Sequence, residues 1–168
     1  MLGTEDSNDM DNTPFGGSTY NLITTEQILK VRIKSLGLVR QAQVLGKGYF
    51  FSQDINNIKE LINSIKTNNS ICYQLLPINL HGHCVGVIIC GRNQVYYIDP
   101  ENNPMPDQLT HIFQQAGFNT QQILSERQRY AHNCAPVWIE TCVMYLGADS
   151  LSQTEAITYH TELLGLSL

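Results

Sequence analysis

Hydrophobic and polar residues follow two different periods along this chain of 168 residues. In several segments apolar residues recur three and four positions apart, which is typical of helices with one buried face. Short apolar runs bounded by polar turns are typical of strands. The predicted helices are residues 25–36, 53–66, 106–116, 134–146 and 153–164, and the predicted strands are residues 41–45, 48–51, 71–78, 83–90, 94–99 and 118–124.

Capping signals set the predicted helix ends. Thr24 with Gln27, and Ser152 with Glu155, have the spacing of capping boxes, in which a side chain and a backbone N–H satisfy each other. Ser52 is the predicted N-cap of the second helix. Each signal lies directly before an apolar periodic segment, which supports the assignment of the helices.

The order of elements predicts the fold class. Helices come first, then mostly strands, then helices again, which favours an α+β fold with a mixed central sheet flanked by helices. Residues 1–19 are polar and acidic, so we expect a disordered N-terminal tail. Residues 20–168 are expected to form one domain.

Charge and cysteine usage exclude several classes of function. The net charge is -5, and four of the fifteen acidic residues lie in the first eleven positions. No basic stripe is present, so nucleic-acid binding is not expected. The chain has no apolar leader and no long apolar span, so neither signal-peptide export nor a membrane span is predicted. The oligomeric state is left open.

The five cysteines are an odd number without the spacing of a disulfide framework. Reduced thiols indicate a cytosolic compartment. The composition is rich in Ile, Asn and Gln, which is typical of AT-rich bacteria. Delivery of a bacterial effector into a host cell is therefore a hypothesis consistent with this composition.

Four residues that are far apart in the sequence have the types and order of a cysteine hydrolase site. His83 opens the strand-like run HCVGVII, Asp99 ends the next run VYYID, and Cys134 opens the apolar helix CAPVWIETCVMYL. A thiol, an imidazole and a carboxylate are the parts of a Cys-His-Asp triad. Gln128, six residues before the cysteine, is a candidate donor for an oxyanion hole.

The predicted hairpin brings two of these residues together. If Cys90 and Gln94 flank a three-residue turn, Val85 lies opposite Asp99. His83 then lies on the same face, one pair further along, at a diagonal spacing of roughly 7–8 Å between backbone positions. An imidazole can reach a carboxylate over that distance.

The position of Cys134 favours a reactive thiol. The first N–H groups of a helix and the positive end of its dipole stabilise a thiolate and also a developing oxyanion. Taken singly, each residue has a plainer interpretation: His83 as a hydrogen-bonded strand-end histidine, Cys134 as a core residue, and Gln128 as a surface residue. The combination of type, order and spacing favours catalysis.

Metal binding is a weaker alternative. His81, His83 and Cys84 lie close together, and His132 with Cys134 forms a second pair. Strand alternation puts Cys84 on the face opposite His83, and no Cys-x-x-Cys pair is present. We therefore expect no metal and no cofactor. His111 and His160 are predicted to be solvent-facing residues of helices.

At these residues the chain resembles the clan CE cysteine proteases, which include proteases of SUMO and ubiquitin-like proteins, the adenovirus protease, and bacterial effector deubiquitinases and acetyltransferases. The resemblance covers residues 70–146 and implies a papain-like fold of the ubiquitin-like-protease type. It also implies His83, Asp99 and Cys134 as the triad and Gln128 as the oxyanion residue. Three positions depart from the family pattern: Cys84 replaces Trp, Asn133 replaces Asp, and Ala135 replaces Gly.

The resemblance also implies a substrate. Members of the clan similar to this chain cut after the Gly-Gly tail of ubiquitin or a ubiquitin-like protein, so we expect a thiol isopeptidase with that partner. Cys84 and Asn133 flank the expected tail channel. Glu101 and Asp107 follow Asp99 and are candidates to meet the arginines of the ubiquitin tail, or they are ordinary solvated acids. The alternatives are an inactive ubiquitin-binding member and a clan CE acetyltransferase.

Overall fold

A computed structural model describes residues 14–15, 20–45, 49–51, 54–65, 73–91, 93–126, 128 and 133–167. The helices in this part of the chain are α1 (Leu22–Ser35), α2 (Ile55–Ile65), α3 (Asp107–Gln115), α4 (Cys134–Tyr145) and α5 (Gln153–Ser167). The strands are β1 (Ala42–Val44), β2 (Tyr49–Phe50), β3 (Tyr73–Leu80), β4 (His83–Cys90), β5 (Gln94–Ile98) and β6 (Asn119–Ile123).

The strands form one mixed sheet in the order β1-β3-β4-β5-β6, with β2 also paired to β3. The central β3–β4 and β4–β5 pairs are antiparallel, whereas β1, β2 and β6 join their neighbours in parallel. Tight turns connect the antiparallel strands, and helices separate the parallel ones. The predicted α+β class with a mixed central sheet is confirmed.

Helices cover both faces of the sheet. Alternate residues of β4 show the division, because Cys84 and Ile88 lie in one apolar cluster while Val85 and Val87 lie in the other. The first cluster packs against α1, α4 and α5, and the second packs against α2 and α3. Both faces of the central strands are therefore buried, which explains why β4 reads as a nearly continuous apolar run.

Gly86 allows α4 to approach the sheet closely. A Cβ atom at this position would overlap with the carbonyl oxygen of Leu76 and with the indole of Trp138. Trp138 is fully buried and lies one helical turn after Cys134. A glycine inside a strand often marks such a close approach, so this signal was present in the sequence. The contact fixes the height of α4, and hence of Cys134, above β4.

The helix caps agree with the prediction at one end of the chain and differ at the other. Ser152 caps α5, since the N–H of Glu155 donates to its hydroxyl at 3.3 Å. In α1, however, the N-cap is Asn21, whose side chain accepts the Thr24 N–H at 2.8 Å while Thr24 Oγ1 accepts the Asn21 N–H at 2.9 Å. Thr24 is thus the third residue of the helix rather than its cap.

The predicted N-terminal tail falls mostly outside the described residues. Pro14 and Phe15 are described, and Phe15 is fully buried in the cluster that contains α1, α4 and α5. Its N–H donates to the carbonyl of Tyr20 at 2.9 Å. Phe15 is therefore part of the core, and the expectation of a disordered tail over residues 1–19 stays a prediction. The predicted cap Ser52 also lies outside the described residues.

The prediction for His160 is wrong as well. His111 is exposed as expected, but His160 on α5 is completely buried. Its Nε2 lies 2.7 Å from the carboxylate of Glu140, and its Nδ1 lies 3.0 Å from the hydroxyl of Tyr20. Arg32 completes the cluster by two bonds to Glu140, at 2.6 and 3.1 Å. This network ties α1, α4 and α5 together.

None of the described helices is long and apolar enough to cross a membrane.

Candidate active site

The β4–β5 hairpin has the predicted register. Cys90 pairs with Gln94, and Gly86 pairs with Ile98. Continuing the same register places Val85 opposite Asp99, with His83 on the same face of the sheet. The hairpin therefore holds the first residue of β4 and the residue after β5 side by side at one end of the sheet.

His83 and Asp99 are in direct contact at this end. The Nε2 atom of His83 lies 2.6 Å from the Oδ1 atom of Asp99. Asp99 is 2% exposed, and the His83 side chain is 20% exposed. The same carboxylate oxygen accepts the N–H of Glu101 at 2.8 Å. Because the carboxylate is held by both bonds, it can orient the imidazole and stabilise an imidazolium.

Cys134 begins α4 beside this pair. Its sulfur accepts a hydrogen bond from the backbone N–H of Cys84 at 3.4 Å. It also lies close enough to the His83 imidazole to raise the pKa of that ring. Since Nε2 faces Asp99, the ring nitrogen that faces Cys134 is Nδ1. The structure thus brings together three residues from the ends of β4, β5 and the start of α4. Cys134 itself has no exposed surface in the free protein.

The electrostatics favour a charged imidazole. Burial by itself lowers the pKa of His83, but its hydrogen bonds to Asp99 and Cys134, together with the charges of the same two groups, raise the pKa to about 10. At neutral pH the imidazole is therefore protonated when it faces a thiolate. An imidazolium beside a sulfur that also accepts a backbone N–H is the arrangement that stabilises a nucleophilic thiolate.

The start of α4 leaves backbone donors near the sulfur. Asn133 occupies the N-cap position but makes no side-chain cap hydrogen bond. Its carboxamide instead donates to the side chain of Gln153 at 3.1 Å. The first N–H groups of a helix have no intrahelical partner, so without this cap they are suited to bind a developing oxyanion.

Ala135, which replaces the glycine of the family pattern, is compatible with this geometry. It is the second residue of α4, and it is not among the described residues that have a positive φ. A methyl group is easily accommodated in a helical backbone, whereas it is strained in a left-handed one. The substitution therefore does not distort the backbone next to Cys134.

Gln128 lies on the segment between β6 and α4 and is mostly buried. Its backbone N–H donates to the carbonyl of Pro100 at 3.0 Å, directly after Asp99. The structure thus places Gln128 against the turn that carries the carboxylate. Its role as an oxyanion donor stays a prediction.

The four predicted substrate-binding residues fall into two groups. Cys84 and Asn133 are 0% and 2% exposed. Their side chains therefore face the interior rather than an open channel. Glu101 and Asp107 are exposed. Glu101 follows the Asp99–Pro100 dipeptide, and Asp107 is the first residue of α3. All four contacts with a substrate stay predictions, and only the two acids lie at the surface.

Sequence reasoning missed the polar residues that hold these parts together. Asn102, Ser125 and Gln153 have no motif that marks them, and their partners lie 20 or more positions away in the sequence. The left-handed backbone of Asn102, with φ of 60°, is typical of asparagine but is not visible in the sequence.

Among the residues that the structure describes, no group of three His, Cys, Asp or Glu side chains is arranged to hold a metal ion.

The chain is similar to known proteins in its structure but not in its sequence. No family model matches the sequence, and no curated protein matches it at a significant level. The fold is similar to the central domain of the Legionella pneumophila protein Lpg1148, with a TM-score of 0.55 and 16% identity, covering 74% of this chain and 89% of that one.

Two further similarities are to known proteases. The Ulp1-like SUMO protease catalytic domain of Chaetomium thermophilum has a TM-score of 0.59 and 14% identity, covering 89% of this chain and 72% of that one. The pS273R protease of ASFV has a TM-score of 0.54 and 12% identity, covering 86% of this chain and 65% of that one. Both proteases belong to clan CE. The chain therefore has the fold of the clan CE cysteine proteases.

Proposed function

We propose that the protein is a thiol isopeptidase that cleaves after the Gly-Gly tail of ubiquitin or a ubiquitin-like protein. The observation that carries this proposal is the position of the His83 ring, which bonds to Asp99 and lies beside Cys134 closely enough for the thiol to raise its pKa. This arrangement occurs at the start of a helix in a clan CE fold. The fold supports the reaction class, and the site supplies the groups that the reaction needs.

In the acylation half-reaction the Cys134 thiolate attacks the carbonyl carbon of the last glycine. Negative charge then develops on the carbonyl oxygen, where the first N–H groups of α4 and the side chain of Gln128 are the candidate donors. As the tetrahedral intermediate collapses, the bond to the lysine ε-amine breaks and the amine takes the proton of the His83 imidazolium. The product is a thioester between the tail and Cys134.

In the deacylation half-reaction His83 accepts a proton instead of donating one. The now neutral His83 accepts a proton from a water molecule, whose oxygen attacks the thioester carbonyl. The carbon–sulfur bond breaks, the tail leaves as a carboxylic acid that loses its proton to solvent water, and Cys134 returns to the thiolate facing the imidazolium. Throughout, Asp99 keeps Nε2 protonated, so that Nδ1 remains the nitrogen that exchanges protons.

Access to the sulfur favours a narrow substrate. Cys134 has no exposed surface, while the His83 side chain retains 20% exposure. A tail must therefore enter beside the partly exposed imidazole and uncover the sulfur as it binds. Two glycines without side chains need the least space for this, which supports a Gly-Gly tail over a bulkier peptide.

The exposed acidic residues support ubiquitin, rather than SUMO, as the substrate. The ubiquitin tail carries arginines before its glycines, whereas that of SUMO does not. Glu101 and Asp107 follow Asp99 in the sequence, are exposed, and can pair with these arginines. Glu101→Gln with Asp107→Asn should therefore slow the cleavage of ubiquitin conjugates and leave SUMO conjugates unaffected.

The test is turnover of purified conjugates. The protein is incubated with ubiquitin, SUMO and NEDD8, each joined through its C-terminus to a lysine side chain, and release of the free tail is measured by mass spectrometry. We expect release from the ubiquitin conjugate by the wild type and by Cys142→Ala, a matched buried thiol on the same helix, but not by Cys134→Ala. Release from the SUMO conjugate alone would reassign the substrate.

A second candidate, an inactive ubiquitin-binding protein, is favoured by the complete burial of Cys134. The same samples separate the two. Equal ubiquitin binding by wild type and Cys134→Ala, without release from any conjugate, would support the binder and exclude the isopeptidase.

A further inference from the structure

The described residues between β6 and α4 are held by side chains from two sides. We use the name approach segment for three of them, Ser125, Glu126 and Gln128. These residues belong to no helix or strand, so regular ladder hydrogen bonds do not fix them. Their contacts with Asn102 and Gln153 take the place of such a ladder.

Asn102 forms the first of these contacts. Its Nδ2 donates to the carbonyl of Ser125 at 3.0 Å, and its Oδ1 accepts the N–H of Ser125 at 3.0 Å. The hydroxyl of Ser125 also donates to Oδ1, at 3.4 Å. The carboxamide thus pairs with the backbone of Ser125 as a neighbouring strand would, using its donor and its acceptor together.

The backbone of Asn102 connects this contact to the carboxylate. Its N–H donates to the carbonyl of Asp99 at 2.7 Å, and its φ is 60°. Asparagine tolerates this left-handed conformation better than most residues. Two residues further along the approach segment from Glu126, the N–H of Gln128 donates to the carbonyl of Pro100 at 3.0 Å. The approach segment is therefore bonded to the turn that carries Asp99 at two points.

Gln153 ties the approach segment to the other half of the site. Its Nε2 donates to the carboxylate of Glu126 at 3.1 Å, and its Oε1 accepts from the carboxamide of Asn133 at 3.1 Å. Gln153 is 5% exposed and Asn133 is 2% exposed. An ionised carboxylate only accepts hydrogen bonds, so the Nε2 group of Gln153 must face Glu126, and Oε1 is left to accept from Asn133. This chain of hydrogen bonds ends at Asn133, the residue before Cys134.

We propose that Asn102 and Gln153 are positioning residues that set the place of Gln128 relative to Asp99 and Cys134. This inference rests on the proposed isopeptidase function, in which Gln128 binds the oxyanion. A donor contributes fully only when it lies about 2.7–3.1 Å from the oxygen as that oxygen becomes charged. The approach segment is bonded directly to the turn that carries Asp99 and, through Gln153, to Asn133 before the nucleophile helix. These bonds hold Gln128 in a fixed place relative to both reacting groups.

The expected effect is on kcat rather than on KM, because the oxyanion forms only in the transition state. Loss of a single oxyanion donor lowers kcat by about 10²–10³-fold. Asn102→Gly keeps the left-handed backbone and removes only the carboxamide, so we expect it to lower kcat by about 10-fold or more with KM nearly unchanged. Asn102→Asp keeps the acceptor for the Ser125 N–H and should recover part of this loss. Gln153→Ala should lower kcat in the same way.

The experiment is a double-mutant cycle between Asn102→Gly and Gln128→Ala, with kcat and KM measured on the conjugate that the wild type cleaves. If Asn102 acts through Gln128, the double variant is as slow as Gln128→Ala alone. Losses of kcat that multiply would show that Asn102 acts elsewhere and would overturn the proposal. So would an Asn102→Gly variant with the kcat of the wild type.

Amide hydrogen exchange tests the contacts without any turnover. Asn102→Gly should accelerate exchange at the N–H groups of Ser125 and Gln128 and leave α4 protected. Alkylation of Cys134 by iodoacetamide should keep its wild-type rate, since His83 and Asp99 are untouched. A wild type that cleaves no conjugate would contradict the proposed function, whereas unchanged exchange at both N–H groups would contradict the positioning role by itself.

Discussion

Among the residues that the structure describes, two imidazole–carboxylate pairs differ in the group that the second ring nitrogen contacts. In the first, His83 and Asp99 lie 2.6 Å apart, and the other nitrogen of the ring faces the sulfur of Cys134. In the second, His160 and Glu140 lie 2.7 Å apart, and the other nitrogen bonds to a tyrosine hydroxyl at 3.0 Å. The bond between ring and carboxylate is nearly the same in both.

The surroundings explain why only one pair is a candidate for catalysis. His160 is completely buried between helices, whereas the side chain of His83 keeps 20% of its surface exposed at the end of the sheet. Burial raises the pKa of the Tyr20 hydroxyl, and the charge of Glu140 raises it further. Tyr20 therefore stays protonated and is no nucleophile. A histidine–carboxylate pair becomes a candidate site only when a reactive group adjoins it and its ring reaches the surface.

The charge balance of the second pair also points to a structural role. Burial by itself raises the pKa of Glu140, but hydrogen bonds from His160, Arg32 and the Leu151 N–H lower it overall. Arg32 is held by two bonds to the carboxylate and by a third, at 3.4 Å, to the carbonyl of Asp149. All these partners are used to join helices, so none is available for chemistry.

Replacing each of the two histidines should give the largest difference in turnover between the two pairs. His83→Gln removes the group that exchanges protons with the thiol, so we expect kcat/KM on the cleaved conjugate to fall by about 10³–10⁴-fold. His160→Gln should lower stability and leave the turnover of the folded fraction near that of the wild type. A loss of turnover below tenfold in His83→Gln, or an equal loss in both variants, would contradict the assignment of roles.

Removing Arg32 tests the structural pair. Arg32→Met leaves the Glu140 charge buried with fewer partners, and breaking a buried ion pair in this way costs about 3–5 kcal/mol. The free energy of unfolding in urea measures this effect. Lys30→Met is the matched control on the same helix, because its ion pair with Glu26 is solvent-exposed and should contribute less than about 0.5 kcal/mol. Equal effects of both variants would contradict the buried network.

A pH series tests the first pair. The pKa of His83 is raised from 6.5 to about 10, so the native state holds its proton more tightly than the unfolded chain. The stabilisation from this pair is therefore complete below pH 6.5 and is lost as the pH rises through 10. The difference in unfolding free energy between wild type and His83→Gln should shrink over this window. A difference that grows with pH would contradict the raised pKa.

Tyr20→Phe gives the smallest expected effect. It removes the hydroxyl from Nδ1 of His160 and keeps the ring, so it should cost about 1 kcal/mol of unfolding free energy. Turnover should not change, because no nucleophile takes the place of the hydroxyl. A gain of thiol-independent hydrolysis in this variant would show that the two pairs differ less than the structure indicates.

The parts of the site that were predictable are those set by local sequence. The turn between Cys90 and Gln94 fixes the hairpin register, and the register alone places His83 and Asp99 on one face. Helix α4 begins at Cys134 as its apolar pattern predicts. The contact between His83 and Cys134 spans 51 positions, and it was expected from the combined residue types and the family resemblance rather than from any local rule.

The parts that were missed depend on contacts between distant segments. Nothing in the sequence around His160 shows that the hydroxyl of Tyr20, 140 positions earlier, bonds to its ring. The pairing of Asn102 with Ser125 likewise joins two loops across the end of the sheet. The neighbouring sequence alone predicts that polar residues of this kind are solvent-exposed, because their burial is decided by the packing of other elements. Thr24 was misassigned for a smaller reason, since Asn21 is an equally good cap three residues earlier.

The most direct test of the central claim is to identify which cysteine reacts with a ubiquitin-like tail. Ubiquitin, SUMO and NEDD8 carrying an electrophile at the C-terminus are incubated with the protein, and the adduct is located by mass spectrometry of its peptides. We predict a single adduct on Cys134, formed fastest with ubiquitin and nearly absent in His83→Gln. No adduct with any of the three proteins, or an adduct on another cysteine, would contradict the account.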